Sequence, residues 1–217
     1  MRIVYGANGS PFVRKVRVTL DEKKLPFEQE PIFPINVSAE FKKLSPLGKI
    51  PAFRDGDRTL SDSSVICAYL ERQHPEPPLY PSDAYDYARA LWFEEYGDSA
   101  LAPVMGGKIF FPKVVGPRFL NRPTDEAAVK QAVDEDLPPL LDYLEGELAD
   151  GRQALVGSRF SIADIGICTH FVNLRHAGYS VDRARWPRLA GYVAAVHARP
   201  SFKQVMDEEA GFFGTTL

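Results

Sequence analysis

The amino-terminal segment places a hydroxyl group where a predicted strand gives way to a predicted helix. Residues 2–5 are typical of a short buried strand and residues 6–9 of a turn, so we predict Ser10 as the helix N-cap and Pro11 as the first helical residue. Free backbone N–H groups and the positive end of the helix dipole favour an anion at such a position. The Ser10 hydroxyl could therefore stabilise a thiolate that a substrate brings. The alternative interpretation is that Ser10 only caps the helix.

A second group of polar residues precedes another predicted helix. In the run Leu60-Ser61-Asp62-Ser63, either Asp62 or Ser63 is predicted to cap a helix whose apolar face includes Ile66 and Leu70. Capping explains one polar residue, whereas the adjacent pair favours a pocket for a ligand that carries both an ammonium and a carboxylate group. Ser63 at the helix N-terminus would bind the carboxylate, and Asp62 would bind the ammonium.

Between these two groups, a proline opens a predicted strand directly after a flexible loop, in the run Gly48-Lys49-Ile50-Pro51-Ala52-Phe53. A cis peptide bond before Pro51 would turn the backbone N–H and C=O of the preceding residue outward, where a peptide could pair with them. The alternative is a plain turn before a strand.

Charge and hydropathy exclude several classes of partner. The 217 residues carry a formal net charge of -3, which leaves no basic footprint for nucleic acid or for an anionic membrane surface. No stretch approaches the roughly 18 apolar residues of a membrane span, and the chain passes from Met1 into a strand without the apolar segment of a signal peptide. We expect a cytoplasmic protein that binds neither nucleic acid nor membrane.

Metal and cysteine chemistry are not expected either. Cys67 and Cys168 each lie in an apolar helical pattern, with no second cysteine or histidine at metal-ligand spacing. The four histidines form no HExxH pair. We predict that both cysteines are buried and inert, and that the protein uses no metal.

The first part of the chain alternates strand and helix patterns. The predicted elements are a strand near 2–5, a helix from Pro11 to about Lys24, a strand near 27–32, a hairpin that turns at 55–57 and a helix from Ser63 to Leu70. This βαβ-ββα order predicts an α/β domain with a small mixed sheet and helices packed on it.

A proline-rich stretch at 75–81 cannot continue a helix or a sheet ladder, because proline lacks the N–H donor. Every pattern after it has helical spacing. We therefore predict a first domain at 1–77, a linker at 78–84 and an all-helical domain at 85–217.

Two features of the helical part concern structure rather than chemistry. Pro138 and Pro139 are expected to break or kink the helix predicted between 126 and 148. Ser161 is predicted to cap a later helix while Asp164 reaches back to the cap amide, which is the reciprocal pattern of a capping box.

Taken in order, these motifs resemble the cytosolic glutathione S-transferases, specifically the serine type found in bacteria. That family joins a thioredoxin-like amino domain to an all-helical carboxyl domain, and the resemblance covers nearly the whole chain. The strings that carry the resemblance are Ser10-Pro11-Phe12-Val13-Arg14-Lys15-Val16-Arg17, Pro46-Leu47-Gly48-Lys49-Ile50-Pro51, Leu60-Ser61-Asp62-Ser63, Phe160-Ser161-Ile162-Ala163-Asp164 and Ala198-Arg199-Pro200-Ser201-Phe202-Lys203.

The resemblance implies that glutathione is the co-substrate and that Ser10, the catalytic residue, hydrogen-bonds its sulfur. Ile50, before a cis-Pro51, matches the residue whose backbone pairs with the cysteinyl unit. Asp62 and Ser63 match the pair that holds the γ-glutamyl group. Lys49 matches a position that reaches the glycine carboxylate in some classes of the family.

A second site, for an apolar electrophile, is implied beside the first. Its candidate residues are Phe12, Tyr96, Met105 and Phe110, although core packing would explain an apolar helical face equally well. Asn8, in the same turn as Ser10, is an alternative donor to the sulfur.

The expected activity is conjugation of the glutathione thiolate to an apolar electrophile, as in detoxification. Serine at position 10 cannot form the mixed disulfide of the cysteine-type relatives. Two alternatives stay open, namely a glutathione-dependent isomerase of the maleylacetoacetate type and a binding protein without turnover. A homodimer is implied by the resemblance alone.

Overall fold

A computed structural model describes residues 1–217 and divides them into two compact units, Met1–Tyr80 and Pro81–Leu217. The division falls inside the segment 78–84 that the prolines mark as a linker. No helix in the structure combines the length and the apolar character that crossing a membrane requires.

The first unit is a four-stranded mixed sheet with helices. Its elements are β1 (Arg2–Tyr5), α1 (Pro11–Glu22), β2 (Glu28–Glu30), α2 (Ala39–Leu44), β3 (Ala52–Asp55), β4 (Arg58–Ser61) and α3 (Ser63–Gln73). The strand order is β2-β1-β3-β4, with β1 and β2 parallel and the other two pairs antiparallel. The predicted βαβ-ββα order is confirmed, with a β2 shorter than expected. Helix α2 has no counterpart in the sequence prediction.

The register of this sheet brings three separate segments together. Tyr5, the last residue of β1, lies opposite Ala52 at the start of β3. Ala52 in turn lies opposite Ser61, the last residue of β4. The segment after β1, the segment before β3 and the segment after β4 therefore meet at one end of the sheet, because antiparallel pairing aligns the end of one strand with the start of its neighbour.

Helix α1 is buried along nearly its whole surface. The predicted apolar face of Val13, Val16 and Leu20 is buried, but Arg14 and Lys15 on the same helix are also completely buried. Helix α1 packs against α3 as well as β1. Because α1 is covered by both the sheet and α3, the single apolar face of its sequence predicts only part of its burial.

The second unit is entirely helical, as predicted. Its elements are α4 (Ala84–Tyr96), a π-helical segment (Gly97–Val115), α5 (Gly116–Phe119), α6 (Glu126–Gln131), a second π-helical segment (Ala132–Asp136), α7 (Leu137–Glu147), α8 (Ile162–His176), α9 (Pro187–His197) and α10 (Pro200–Phe213). The interruption expected at Pro138 lies just before it, in the π-helical segment Ala132–Asp136. Pro138 itself falls in the first turn of α7, where a proline is accommodated because its missing N–H would have no partner within the helix.

The centre of this unit is α8, whose residues are almost all buried. The predicted capping box at its start is confirmed: Ser161 accepts a hydrogen bond from the Ala163 amide, and Asp164 Oδ2 accepts one of 2.7 Å from the Ser161 amide. Asp164 Oδ1 also accepts bonds from Leu155 N at 2.9 Å and from the Tyr192 hydroxyl at 2.6 Å. Burial raises the pKa of the Asp164 carboxyl and outweighs these hydrogen bonds, which act in the opposite direction.

Candidate functional site

Ser10 is the N-cap of α1. It has an extended backbone, and its Oγ accepts a hydrogen bond of 3.3 Å from the Val13 amide. This is the only hydrogen bond of the Ser10 side chain within the protein, so the proton of the hydroxyl remains available for donation to a ligand. Because Ser10 is half-buried, the hydroxyl can be reached without unfolding the helix start.

The backbone at Gly6, in the turn before Ser10, packs closely against Val13 and Ile50. A Cβ atom added to Gly6 would lie 2.3 Å from Val13 Cγ2 and 3.4 Å from Ile50 Cβ. Only glycine fits there, since non-bonded carbon atoms prefer separations of about 3.5–4.0 Å. Gly6 therefore allows the turn, the first turn of α1 and Ile50 to meet.

The Ile50–Pro51 peptide bond is cis, as the family resemblance implies. Ile50 and Pro51 are buried, whereas the side chain of Lys49 is exposed. The Lys49 carbonyl accepts a hydrogen bond of 2.6 Å from Ser45 Oγ, which fixes the loop before the cis bond.

At the start of α3, the structure distinguishes the roles of the two adjacent polar residues. Asp62 is the N-cap, and its Oδ1 accepts hydrogen bonds from the amides of Ser64 at 2.9 Å and Val65 at 3.2 Å. Ser63 is the first helical residue and is buried. The backbone of Asp62 has a φ of +78°, a conformation that favours glycine and that tends to persist at functional sites.

Sequence reasoning missed the buried cations that link these segments. Lys15, completely buried on α1, donates a hydrogen bond of 3.0 Å to Ser64 Oγ in the first turn of α3. Arg17, also buried, donates one of 3.2 Å to Asn8 Oδ1 in the turn before Ser10. The signal in the sequence was a concentration of basic residues in the first two turns of α1. Their burial depends on how α3 packs and cannot be predicted from α1 alone.

The candidates for the second site lie in different surroundings. Phe12, beside Ser10 in the first unit, is half-buried. Tyr96, in the second unit, is partly exposed; its hydroxyl donates to the Leu140 carbonyl at 3.1 Å, and its ring packs on that of Tyr143 at 4.8 Å. Burial raises the pKa of Tyr96 to about 12, so its hydroxyl is a donor rather than a base at neutral pH.

Met105 and Phe110 belong to the core of the helical unit. Met105 has no exposed surface, and Phe110 is only 5% exposed, with its ring 6.2 Å from that of His176 and 5.6 Å from that of Phe213. A side chain without accessible surface cannot contact a second substrate unless the core rearranges. Their burial favours the core-packing alternative over a place in the electrophile site.

Other candidate chemistry is accounted for by packing. Cys67 and Cys168 are both buried, as predicted, and burial raises the pKa of the Cys168 thiol well above its usual range. No group of three or more histidine, cysteine or acidic side chains is arranged to hold a metal ion.

Both parts of the chain match models of one protein family. The family model described as "Glutathione S-transferase, N-terminal domain" matches residues 4–78, and that described as "Glutathione S-transferase, C-terminal domain" matches residues 127–195. A glutathione S-transferase of Hyoscyamus muticus is 30% identical over 213 residues, which cover 94% of this chain and 97% of that protein. The chain belongs to the glutathione S-transferase family.

Other glutathione S-transferases agree over similar lengths. Human glutathione S-transferase theta-1 is 30% identical over 189 residues, or 85% of this chain and 78% of that one. The crystal structure of a glutathione S-transferase from Rhodospirillum rubrum superimposes with a TM-score of 0.86 at 28% identity, covering 94% of this chain and 91% of that one. The three segments that meet at the sheet end all lie within the matched amino-terminal domain of the family.

Proposed function

We propose that this glutathione transferase stabilises the thiolate of glutathione with the Ser10 hydroxyl and attaches the sulfur to an apolar electrophile. The observation that carries the proposal is that Ser10 keeps an unused donor proton at the start of α1, at the end of the sheet where the Ile50–Pro51 bond and the Asp62–Ser63 pair also lie.

The same end of the sheet offers a partner for each part of the tripeptide. The backbone of Ile50 beside the cis bond would pair with the cysteinyl unit. The α-carboxylate of the γ-glutamyl unit would bind at the N-terminus of α3 beside Ser63, and its ammonium would bind the exposed carboxylate of Asp62. The exposed ammonium of Lys49 would approach the glycine carboxylate.

The reaction itself needs few groups from the protein. The glutathione thiol gives its proton to solvent, and the Ser10 hydroxyl donates a hydrogen bond to the resulting thiolate. The sulfur electron pair then forms a C–S bond with the electrophilic carbon, while the leaving group departs with the electrons of its own bond. With chlorodinitrobenzene, the products are the thioether, chloride and a proton.

Magnitudes indicate what Ser10 contributes. If donation and the helix dipole lower the pKa of the thiol from about 8.5 to about 6.5, the thiolate fraction at pH 7 rises about 25-fold. Intrinsic nucleophilicity falls about 8-fold over the same interval, so the net gain is about 3-fold. Positioning of the two reactants, with effective molarities of roughly 10⁵ M, supplies much more. Apolar walls around the second substrate therefore matter more to the rate than the hydroxyl does.

Calorimetry and a conjugation assay test this proposal together. The purified protein should release or absorb heat with millimolar reduced glutathione and should turn over chlorodinitrobenzene or another member of an electrophile panel. Consumption of glutathione identifies conjugation, whereas an isomerase would regenerate glutathione after adding and expelling it. Absence of any binding heat would overturn the proposal, and binding without turnover would indicate a non-catalytic member of the family.

The family resemblance also supports a homodimer in the cytoplasm. Sedimentation equilibrium on the purified chain would give twice the monomer mass if the dimer forms, and the monomer mass would contradict it.

A further inference from the structure

The side chain of Asn8 is held by two donors in the turn that leads to Ser10. Its Oδ1 accepts a hydrogen bond of 3.2 Å from Arg17 Nη1 on α1 and one of 3.1 Å from Gln29 Nε2 on β2. The turn itself is tight, since the Ser10 amide donates to the Ala7 carbonyl at 3.4 Å. Asn8 is thereby tied to both α1 and β2.

These contacts fix which end of the Asn8 amide faces inward. A guanidinium can only donate, so the Asn8 atom that it meets must be the oxygen. Gln29 is oriented in the same way, because its Nε2 also donates to the Gly6 carbonyl at 2.8 Å and a carbonyl can only accept. The network permits one orientation of the Asn8 amide, in which its NH₂ group points away from Arg17 and Gln29.

The NH₂ group of Asn8 makes no hydrogen bond within the protein, since both bonds of this side chain are to its oxygen. Asn8 is only half-buried, so a ligand can reach the group. Arg17 is 4% exposed, and a hydrogen bond from a buried cation to the amide oxygen polarises the amide and makes its N–H protons better donors to an anion.

We propose that the Asn8 amide is a second hydrogen-bond donor to the glutathione thiolate beside Ser10, and that Arg17 and Gln29 are positioning residues that fix its orientation. This inference rests on the proposed function, because it assigns a further donor to the same sulfur. Two donors on one anion also mean that loss of the Ser10 hydroxyl removes only part of the thiolate stabilisation.

The pKa of the bound thiol tests the proposal directly, because a purely structural role for Asn8 would not change it. Ultraviolet absorbance of the thiolate is followed against pH in the complex of the full-length protein with glutathione. The Asn8→Ala variant should raise the thiol pKa by about one unit, a tenfold shift in the ionisation equilibrium. The thiol pKa of the Ser10→Ala/Asn8→Ala double variant should be higher than that of the Ser10→Ala variant.

The Asn8→Asp variant provides a matched test that keeps the fold of the turn. Its carboxylate still accepts bonds from Arg17 and Gln29, but it offers no donor and adds a negative charge, so the thiol pKa should rise by more than in Asn8→Ala. If Asn8→Ala does not fold, Asn8→Leu carries the test, because it removes the donor at similar volume without adding charge. A thiol pKa equal to that of the wild type in a folded Asn8 variant overturns the inference.

A double-mutant cycle tests the positioning role of Arg17. Arg17→Met should raise the thiol pKa in the wild-type background but have little further effect once Asn8 is alanine. Equal effects of Arg17→Met in both backgrounds would show that Arg17 does not act through Asn8. Failure of the wild-type protein to bind glutathione would count against the proposed function itself, which separates the two outcomes.

Discussion

The two ends of α8 in the helical unit and the sheet end of the first unit differ in how their polar side chains are satisfied. In the helical unit, the buried carboxylate of Asp164 accepts hydrogen bonds from Leu155, Ser161 and Tyr192. His176 is likewise bonded at both ring nitrogens, with Nδ1 2.8 Å from Thr215 Oγ1 and Nε2 3.3 Å from Glu209 Oε2. At the sheet end of the first unit, the side-chain oxygens of Ser10 and Asn8 accept hydrogen bonds, but their O–H and N–H groups donate none within the protein. Polar groups with all their bonds made within the protein support the fold, whereas groups that are positioned but unsatisfied are available to a ligand.

The strongest test of this contrast is the Asp164→Ala variant. It leaves the buried amides of Leu155 and Ser161 and the buried hydroxyls of Ser161 and Tyr192 without their acceptor, and each such group costs about 1–3 kcal/mol. We expect the free energy of unfolding to fall by about 3 kcal/mol or more, measured by urea denaturation. The protein that remains folded should bind glutathione with unchanged affinity; a large loss of affinity would show that the helical unit is not purely structural at this point.

The Gly6→Ala variant should affect both stability and binding, because it acts where the site is built into the fold. The added Cβ would lie 2.3 Å from Val13 Cγ2, so either the turn or α1 has to move. We expect a loss of about 2 kcal/mol in thermal or urea unfolding, together with weaker binding of glutathione by calorimetry. Unchanged glutathione binding would mean that the turn before Ser10 is not part of the site.

The Ser10→Ala variant separates the capping role from the chemical role of this serine. Loss of the cap to Val13 should lower the free energy of unfolding by about 1 kcal/mol. Loss of the donor should raise the pKa of the bound thiol and lower the conjugation rate at pH 7 by less than about 3-fold, because the helix dipole and the Asn8 amide remain. A change in stability with no change in the thiol pKa would reduce Ser10 to a helix cap.

The smallest expected effect concerns Tyr96 in the helical unit. Burial raises the pKa of Tyr96 to about 12 in the folded protein, so the folded state favours the neutral phenol. This contribution to stability is complete below about pH 10, the pKa of an unperturbed tyrosine, and is lost as the pH rises towards the folded-state pKa. The Tyr96→Phe variant should therefore lose less stability than the wild type between about pH 10 and pH 12, the interval between the unfolded and folded pKa values of Tyr96. Parallel curves for the two proteins would contradict the assignment.

The features that could be predicted from the sequence have local causes. The Ser10-Pro11 pair marks a helix start, the hairpin turn follows from Asp55-Gly56-Asp57, and the capping box is encoded within the run from Ser161 to Asp164. Each depends on residues that are neighbours in the chain, so the structure agrees with the prediction.

The features that were missed depend on contacts between distant segments. The amphipathic pattern of α1 gives no reason to bury Lys15, whose partner Ser64 lies on α3. An apolar helical face likewise does not reveal what will cover it, which is why the sequence leaves Met105 and Phe110 open between a ligand site and the core, where both are buried. The partners of Asn8 lie on α1 and β2, and only the folded register brings them together.

At Asp62, the backbone conformation and the side chain favour different residue types. Its φ of +78° is a conformation that glycine adopts readily, and replacing a capping aspartate by glycine costs a helix only a few tenths of a kcal/mol. For folding alone, glycine would serve at least as well at this position. A carboxylate held in this conformation is therefore better accounted for by the proposed binding of an ammonium group than by helix stability.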